Sequence, residues 1–300
     1  MVSHVHRMSC ACSTCAACAC ASGVAACTRA HAHATPRHAA SPAGARRPFA
    51  GILESAQPPS VKAKADALNE FYYPIEVRAD MTKQEKIPYM EQWYRSINNL
   101  LLERHITHEY VKSAVSTANV GIRQGVPQLF AFAHSHAVPF IVFSAGVGDV
   151  LQEVIAQKVG PMPAQSSVVS NWMVFNDAGE CASFTEPLVH MFNKNDSHLA
   201  TTELYPELCK RPHVVVIGDS LGDSAMADGL STHELVLRVG ILNEYAPQLA
   251  VQYMAAFDVV LVNEPSLTEV AAWLESVAAS EIVDDELSCF HTIEKSPVDL

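Results

Sequence analysis

The chain has 300 residues, of which 49% are hydrophobic and 17% charged, a composition typical of a globular protein rather than a disordered or fibrous one. Its formal net charge is -12, yet no Asp or Glu precedes Glu54, whereas five arginines do. The chain from Glu54 onward is therefore strongly acidic and repels polyanions, which argues against nucleic acid as a partner. We find no apolar run of about 18 residues, the length that a membrane span requires.

The first 50 residues are rich in Ala, Cys, His and Arg and show no hydrophobic periodicity. We therefore predict a low-complexity, disordered segment without a core. The spacing of Cys12, Cys15 and Cys18, with His31 and His33 downstream, raises zinc binding as an alternative, but structural zinc sites favour two separated ligand pairs around a foldable core. Arginines without acids also fit an organelle transit peptide.

Residues 51–136 predict a mainly helical region. The stretch 82–85 (Thr-Lys-Gln-Glu) has the form of a capping box, which predicts a helix from there to about Leu102. Further amphipathic helices are expected near 107–119 and 126–136.

Residues 137–280 predict an α/β core. The short apolar runs 138–143 and 213–217 each lead through a glycine turn into a helical pattern, as strands buried on both faces do. Other strands and helices are expected in alternation, at 235–239, 244–255, 257–262 and 267–277, with a strand and hairpin turn at 172–179. This alternation predicts a parallel sheet in which the first two runs are adjacent or nearly adjacent. An acidic tail, 281–300, is expected to be mobile.

Cysteine usage bears on the compartment. Six of the nine cysteines precede Thr28, and Cys181, Cys209 and Cys289 are scattered through the rest. Isolated cysteines in a domain of this size fit a reducing compartment. We expect a cytoplasmic protein, with organelle import by residues 1–50 as the alternative.

The run 213–217 leads into Gly-Asp-Ser-Leu-Gly-Asp, which places the carboxylates of Asp219 and Asp223 four residues apart across a strand-to-helix turn. Mg²⁺ takes one or two carboxylates together with waters and a substrate phosphate. Asp219 and Asp223 are therefore candidate Mg²⁺ ligands. In the alternative interpretation, either aspartate only caps the following helix.

Two further residues are candidates for phosphate binding. Ser144 ends the run 138–143 and precedes a glycine turn whose N–H groups predict an anion site, although an ordinary cap and turn explains the same residues. Lys194 is a candidate point charge for phosphate, although a single lysine is usually solvated. Since ligands of open α/β sheets bind beyond the carboxyl ends of the strands, we expect these groups at that edge.

Three stretches resemble motifs II, III and IV of the haloacid dehalogenase superfamily: 143–146 (Phe-Ser-Ala-Gly), 192–194 (Phe-Asn-Lys) and 218–223. More narrowly, the stretches 72–77, 91–94, 169–171 and 226–229 resemble the cytosolic pyrimidine and 7-methylguanosine-phosphate 5'-nucleotidases, from about residue 51 onward. The resemblance implies a Rossmann-like parallel sheet with a helical cap. It also implies an enzyme that hydrolyses nucleoside 5'-monophosphates with Mg²⁺ as cofactor, and we expect a monomer.

The resemblance also implies roles for individual residues. Phosphate would be held by Ser144, Ala145 and Lys194, Mg²⁺ by Asp219 and Asp223, and the nucleobase by Glu76 with help from Ser96. Without the resemblance, Glu76 is interpreted as a surface acid and Trp93 as a core aromatic.

One motif of the family is absent. Asp-x-Asp-x-Thr, at the end of the family's first strand, provides a nucleophile and a general acid/base, and this chain has neither: its first aspartate is Asp66, in a helical pattern, with no apolar run before it that predicts a central strand. We expect hydrolysis to be strongly reduced. One alternative is a catalytically inactive nucleotide-binding pseudophosphatase or regulatory protein. Another is that the first 50 residues reflect a wrong start or exon boundary of the gene model.

Overall fold

The computed structural model describes residues 24–28, 32–33, 50–78, 80–228, 230, 234–263 and 266–279. The cysteines of the zinc alternative and the tail 281–300 lie outside the described residues, as does most of the segment 1–50. The expectations for them stay predictions.

Helices dominate the first half of the described chain, and strands and helices alternate in the second. The helices are α1 Ala50–Ser55, α2 Pro59–Val77, α3 Lys83–Leu102, α4 His108–Thr117, α5 Val126–Ser135, α6 Gly148–Val154, α7 Asp196–Leu199, α8 Tyr205–Leu208, α9 Pro247–Ala256 and α10 Thr268–Ala279. The strands are β1 Val24–Thr28, β2 Ala32–His33, β3 Gly121–Ile122, β4 Phe140–Val147, β5 Ser166–Asn171, β6 Met173–Phe175, β7 Cys181–Phe184, β8 His213–Gly218, β9 Leu235–Leu242 and β10 Val259–Val262.

Six strands form one parallel sheet in the order β10-β9-β8-β1-β4-β5. The chain adds β4 and β5 on one side of β1 and then returns to add β8, β9 and β10 on the other. This is the doubly wound Rossmann order, in which ligands bind at the carboxyl ends of the strands where the direction reverses. The predicted α/β class is confirmed, and the runs 138–143 and 213–217 are parallel strands separated by β1 alone.

Strand β1 corrects the expectation that no central strand precedes Asp66. Thr28 pairs with Val142 of β4 on one side and with Ile217 of β8 on the other. The five residues of β1, Val-Ala-Ala-Cys-Thr, are too few and too small to stand out as a hydrophobic pattern. Two apolar neighbouring strands leave a slot whose backbone groups need partners, and this tertiary context outweighs weak local propensity.

Strand β4 and helix α3 form as the local sequence predicts. Every residue of β4 is buried, as its apolar run predicts for a strand covered on both faces. Helix α3 begins at the predicted capping box: the Thr82 hydroxyl accepts from the Glu85 N–H, and the Glu85 carboxylate accepts from the Thr82 N–H. Trp93 on α3 is 4% exposed and stacks on Tyr72 of α2 at 5.9 Å, which confirms it as a core aromatic.

Candidate functional site

The phosphate-binding candidate Ser144 lies in a bulge near the end of β4. Phe143 pairs with Val169, but Val147 pairs with Asn171, so β4 contains two more residues than β5 over the same span. Helix α6 begins only at Gly148. The expected glycine turn after Ser144 is therefore a bulged strand end, a feature that re-aims side chains at the rims of sheets.

Two side chains from β5 fix this bulge. Ser170 Oγ donates to the carbonyl of Gly146 at 2.9 Å, and Asn171 Nδ2 donates to the carbonyl of Ala145 at 2.9 Å. Ser144 Oγ accepts from the Gly146 N–H at 3.1 Å. With these carbonyls occupied, the backbone of the bulge is held in one conformation. Ser170 and Asn171 lie in the stretch 169–171 that resembles the family, but the sequence did not reveal these contacts because β5 lacks the apolar run typical of a buried strand.

Asn171 also connects the bulge to the segment that carries Lys194. Its Nδ2 donates to the carbonyl of Val189 and its Oδ1 accepts from the N–H of the same residue, both at 2.8 Å. Asn193 then closes the loop by accepting from the His190 N–H at 2.7 Å and donating to the Leu188 carbonyl at 2.7 Å. Lys194 is therefore presented by a loop with satisfied backbone groups.

Lys194 and Asp223 form a buried ion pair. Lys194 Nζ lies 2.7 Å from Asp223 Oδ1, and both side chains are 0% exposed. Asp223 Oδ2 accepts from the N–H groups of Asp219 at 3.1 Å and Ser220 at 2.9 Å. The interpretation of Lys194 as a solvated surface lysine is wrong. The structure brings Lys194, Asp219 and Asp223 together, with Asp223 between the other two.

Two glycines explain the Gly-Asp-x-x-Gly-Asp spacing. A β-carbon on Gly218 would collide with the side chain of Asp223, and one on Gly222 would collide with the carbonyl oxygen of Met191. The first contact lets Asp223 fold back under the end of β8. The second lets the turn after β8 pack directly on the loop that leads to Lys194.

Asp219 lies at the carboxyl end of β8 and is 2% exposed. Its backbone carbonyl accepts from the Tyr253 hydroxyl, and its Oδ2 accepts from Asn243 Nδ2 at 3.4 Å. Asn243 Oδ1 in turn accepts from Arg123 Nη2 at 2.6 Å. Sequence analysis missed Asn243 and Arg123, although the position of Asn243 directly after the apolar end of β9 is one that the carboxyl-edge rule would single out.

These residues fit a Mg²⁺ site with few protein ligands. A carboxylate at the ligand-binding edge of the sheet is the ligand that Mg²⁺ prefers, with the remaining positions filled by water and substrate phosphate. Within the described part of the chain, no three His, Cys, Asp or Glu side chains come together as a metal site. The fit therefore rests on Asp219 with Asp223 behind it.

The cap residues lie on α2 and α3. Glu76 is half-buried near the end of α2, and its carbonyl accepts from Lys86 Nζ at 3.0 Å. The Lys86 ammonium also lies 5.8 Å from the centre of the Phe192 ring, within cation–π range. Ser96 Oγ donates to the carbonyl of Gln92 in its own helix. Lys86 thus connects the neighbourhood of Glu76 with the loop that carries Lys194.

Two histidines near Lys194 are buried, His190 and His198, and neither was singled out from the sequence. Burial, reinforced by the neighbouring His198, lowers the pKa of His190 to about 4. Its Nδ1 accepts from the Phe192 N–H at 3.2 Å. His190 is therefore neutral near pH 7 and serves the loop as a hydrogen-bond acceptor.

Comparison with known proteins identifies the family of this chain. The sequence model of the family described as pyrimidine 5'-nucleotidase (UMPH-1) matches residues 41–278. The chain belongs to the pyrimidine 5'-nucleotidase family. The predicted family and the predicted 5'-nucleotidase function, a hydrolase activity, are confirmed.

Individual relatives agree with the pyrimidine 5'-nucleotidase assignment. A 7-methylguanosine phosphate-specific 5'-nucleotidase of Gallus gallus is 38% identical over 206 residues, which cover 69% of this chain and 71% of that protein. The crystal structure of cytosolic 5'-nucleotidase IIIB bound to cytidine matches with a TM-score of 0.73 at 29% identity, covering 86% of each chain. A HAD family hydrolase of Salmonella enterica, at 10% identity and a TM-score of 0.54 over 87% of this chain and 72% of that one, shares the fold.

Of the helices in the described ranges, none is both long and apolar enough to cross a membrane.

Proposed function

We propose that the chain binds nucleoside 5'-monophosphates at the carboxyl edge of its sheet and hydrolyses them with Mg²⁺, at a rate strongly reduced by the loss of the nucleophile motif. It acts as a cytoplasmic monomer. The observation that carries the proposal is the convergence of the Ser144 bulge, the Lys194 loop and the Asp219 turn around the end of β1, in a chain that has no acid before Glu54.

The phosphate half of the site consists of Ser144, Ala145 and Lys194. A serine hydroxyl and backbone N–H groups of a rigid bulge suit phosphate oxygens. Lys194, whose ammonium is paired with Asp223, would add positive charge in a region of low dielectric, where charges interact strongly. Asp219, with Asp223 behind it, would hold Mg²⁺. When bound, the metal neutralises phosphate charge and polarises the phosphoryl oxygen.

The nucleobase half of the site consists of Glu76, with Ser96 nearby on α3. The relatives named above act on 7-methylguanosine phosphate or bind cytidine, so we infer a base of pyrimidine or 7-methylguanosine type for this chain. A carboxylate accepts hydrogen bonds from amino groups of a base and attracts a positively charged ring. Lys86, bonded to the carbonyl of Glu76, holds the end of α2 in place.

Hydrolysis needs a group that attacks phosphorus and one that protonates the leaving nucleoside oxygen. An aspartate at the end of the first strand does the first by forming an aspartyl phosphate, and a second acid does the other. Since neither is present after β1, only positioning and electrostatic stabilisation remain. Those effects alone leave residual catalysis in other enzymes.

The register of the sheet indicates where the missing motif should be introduced. Thr28 pairs with Val142 and Ile217, and Ser144 and Asp219 each follow their strand's paired residue by two positions. The corresponding position after Thr28 in sequence is Ala30. The triple substitution Ala30→Asp, Ala32→Asp and Ala34→Thr therefore begins Asp-x-Asp-x-Thr at the same sequence distance from the paired residue of its strand. Phosphate release from cytidine and 7-methylguanosine monophosphates is measured in the unaltered chain and in the triple variant.

We expect the triple variant to gain at least about 100-fold in turnover, because a nucleophile and a general acid each contribute large factors. Adding Asp219→Asn to the triple variant should remove the gain. Equal turnover of the starting chain and the triple variant would refute the proposed site. Nucleotide binding by equilibrium dialysis without turnover in either protein would favour the regulatory pseudophosphatase instead.

A further inference from the structure

Asn243 lies between a cation and the candidate metal carboxylate. Arg123 Nη2 is 2.6 Å from Asn243 Oδ1, and Asn243 Nδ2 is 3.4 Å from Asp219 Oδ2. A guanidinium can only donate hydrogen bonds, so the atom of Asn243 that faces it must be the amide oxygen. The amide nitrogen then faces Asp219, so the hydrogen bond to Arg123 determines the orientation of the Asn243 amide.

We propose that Asn243, oriented by Arg123, is a positioning residue that holds the Asp219 carboxylate for Mg²⁺ binding. The inference rests on the proposed function and adds to it two residues from outside the resembling motifs. Arg123 follows β3, and Asn243 follows β9, so the relay joins two parts of the chain that are 120 residues apart.

The neutral amide between the two charges has a specific advantage. A guanidinium in direct contact with a carboxylate forms two parallel hydrogen bonds and occupies both oxygens. With Asn243 interposed, Arg123 still contributes positive charge near Asp219, and the Asn243 amide contacts a single carboxylate oxygen, Oδ2. This arrangement orients Asp219 without competing with a metal ion.

The backbone at Asp219 is fixed by other contacts. Its N–H donates to Asp223 and its carbonyl accepts from Tyr253, while Gly218 pairs in register with Gly240 of β9. The fold of the turn therefore does not depend on Asn243. The Asn243 amide acts on the side chain of Asp219, which points to a role in ligand binding rather than in folding.

The test is Mg²⁺ binding by the full-length chain, read from the rise of the melting temperature with Mg²⁺ concentration at constant ionic strength. A ligand at concentration c that binds only the folded state raises its stability by RT ln(1 + c/Kd), so weaker binding shifts this rise to higher Mg²⁺ concentration. Removing a residue behind a metal ligand typically weakens metal affinity 10- to 100-fold. For Asn243→Leu, which keeps the volume and removes the amide, we expect about 10-fold weaker apparent binding. Asn99→Leu, at an exposed position of α3, is the control and should bind as the unaltered chain does.

Arg123→Met should weaken binding in the same direction but less, and the double variant should bind no more weakly than Asn243→Leu, since Arg123 acts through Asn243. Additive losses of Mg²⁺ affinity in the double variant would overturn the inference that Arg123 acts through Asn243. If Asn243→Leu does not fold, Asn243→Ser, which keeps a hydroxyl donor, is measured in its place. Its Mg²⁺ affinity should fall by less than 10-fold. Unchanged Mg²⁺ binding by the Asn243 variant would overturn this inference alone, whereas an unaltered chain that does not respond to Mg²⁺ would overturn the metal part of the proposed function as well.

Discussion

Replacing Asp223 with Asn should strongly destabilise the folded chain. Three hydrogen-bond donors contact its carboxylate: the Lys194 ammonium and the N–H groups of Asp219 and Ser220. An Asn side chain brings an NH₂ group, which would have to face at least one of these donors. The substitution therefore loses a charge and also creates a clash between hydrogen-bond donors.

The magnitude follows from burial. Both side chains of the Lys194–Asp223 pair are 0% exposed, so the ammonium cannot reach water once its partner is neutral. Removing one partner of a buried pair costs about 3–5 kcal/mol, and the unpaired N–H group adds to that cost. This is a large share of the roughly 5–15 kcal/mol by which a typical domain is stable.

Urea unfolding followed by circular dichroism measures the effect, with the free energy of unfolding taken by linear extrapolation. Asp66→Asn is the matched control, because the Lys62–Asp66 pair has the same separation of 2.7 Å but side chains 42% and 35% exposed. Such a surface pair contributes about 0–1 kcal/mol. Combining Asp223→Asn with Lys194→Met should recover part of the loss, since no ammonium is then left buried without its counter-ion.

A cost for Asp223→Asn below about 1 kcal/mol, equal to that of the control, would refute this reasoning. It would mean that the Lys194 ammonium reaches solvent in the native state. Strictly additive single and double variants would contradict a direct interaction between the two side chains.

Two further predictions concern His190 and Gly222. Burial lowers the pKa of His190 from 6.5 to about 4, so the unfolded chain binds a proton here at a higher pH than the folded chain does. The stability that neutral His190 contributes is therefore complete above about pH 6.5 and is lost as the pH falls towards 4. Urea unfolding should show up to about 3 kcal/mol less stability at pH 4 than at pH 7, and His190→Leu should flatten that dependence. A variant with the same pH slope as the unaltered chain would contradict it. Gly222→Ala should push the turn after β8 away from Met191. We expect a lower melting temperature and nucleotide binding at least 10-fold weaker, as measured by equilibrium dialysis. Unchanged nucleotide affinity would show that the turn after β8 and the loop that leads to Lys194 need not touch.

Much of the α/β core was predictable because its strands are covered on both faces. The runs at 138–143 and 213–217 contain apolar residues at successive positions, and β4 and β8 lie where those runs do. The capping box predicted the start of α3 because its signal is local. Long-range context was not needed for any of these elements.

Other features depend on contacts that the local sequence does not encode. Strand β1 gains its partners from β4 and β8, more than 100 residues away, and β5 begins with two serines. The bulge at Ser144 reflects the mismatch between two paired strands, which no single segment reveals. Arg123 and Asn243 matter only because the fold brings the residues that follow β3 and β9 into contact.

The position of β1 also has a consequence for biosynthesis. Ribosomes release this strand first, yet both of its partners are made much later, so the middle of the sheet closes only after β8 has emerged. Until then the half-sheet of β1, β4 and β5 has an open edge at β1, which invites pairing with other chains. Folding should therefore be slow and sensitive to protein concentration, and loss of residues 24–28 would leave two half-sheets with no strand to join them.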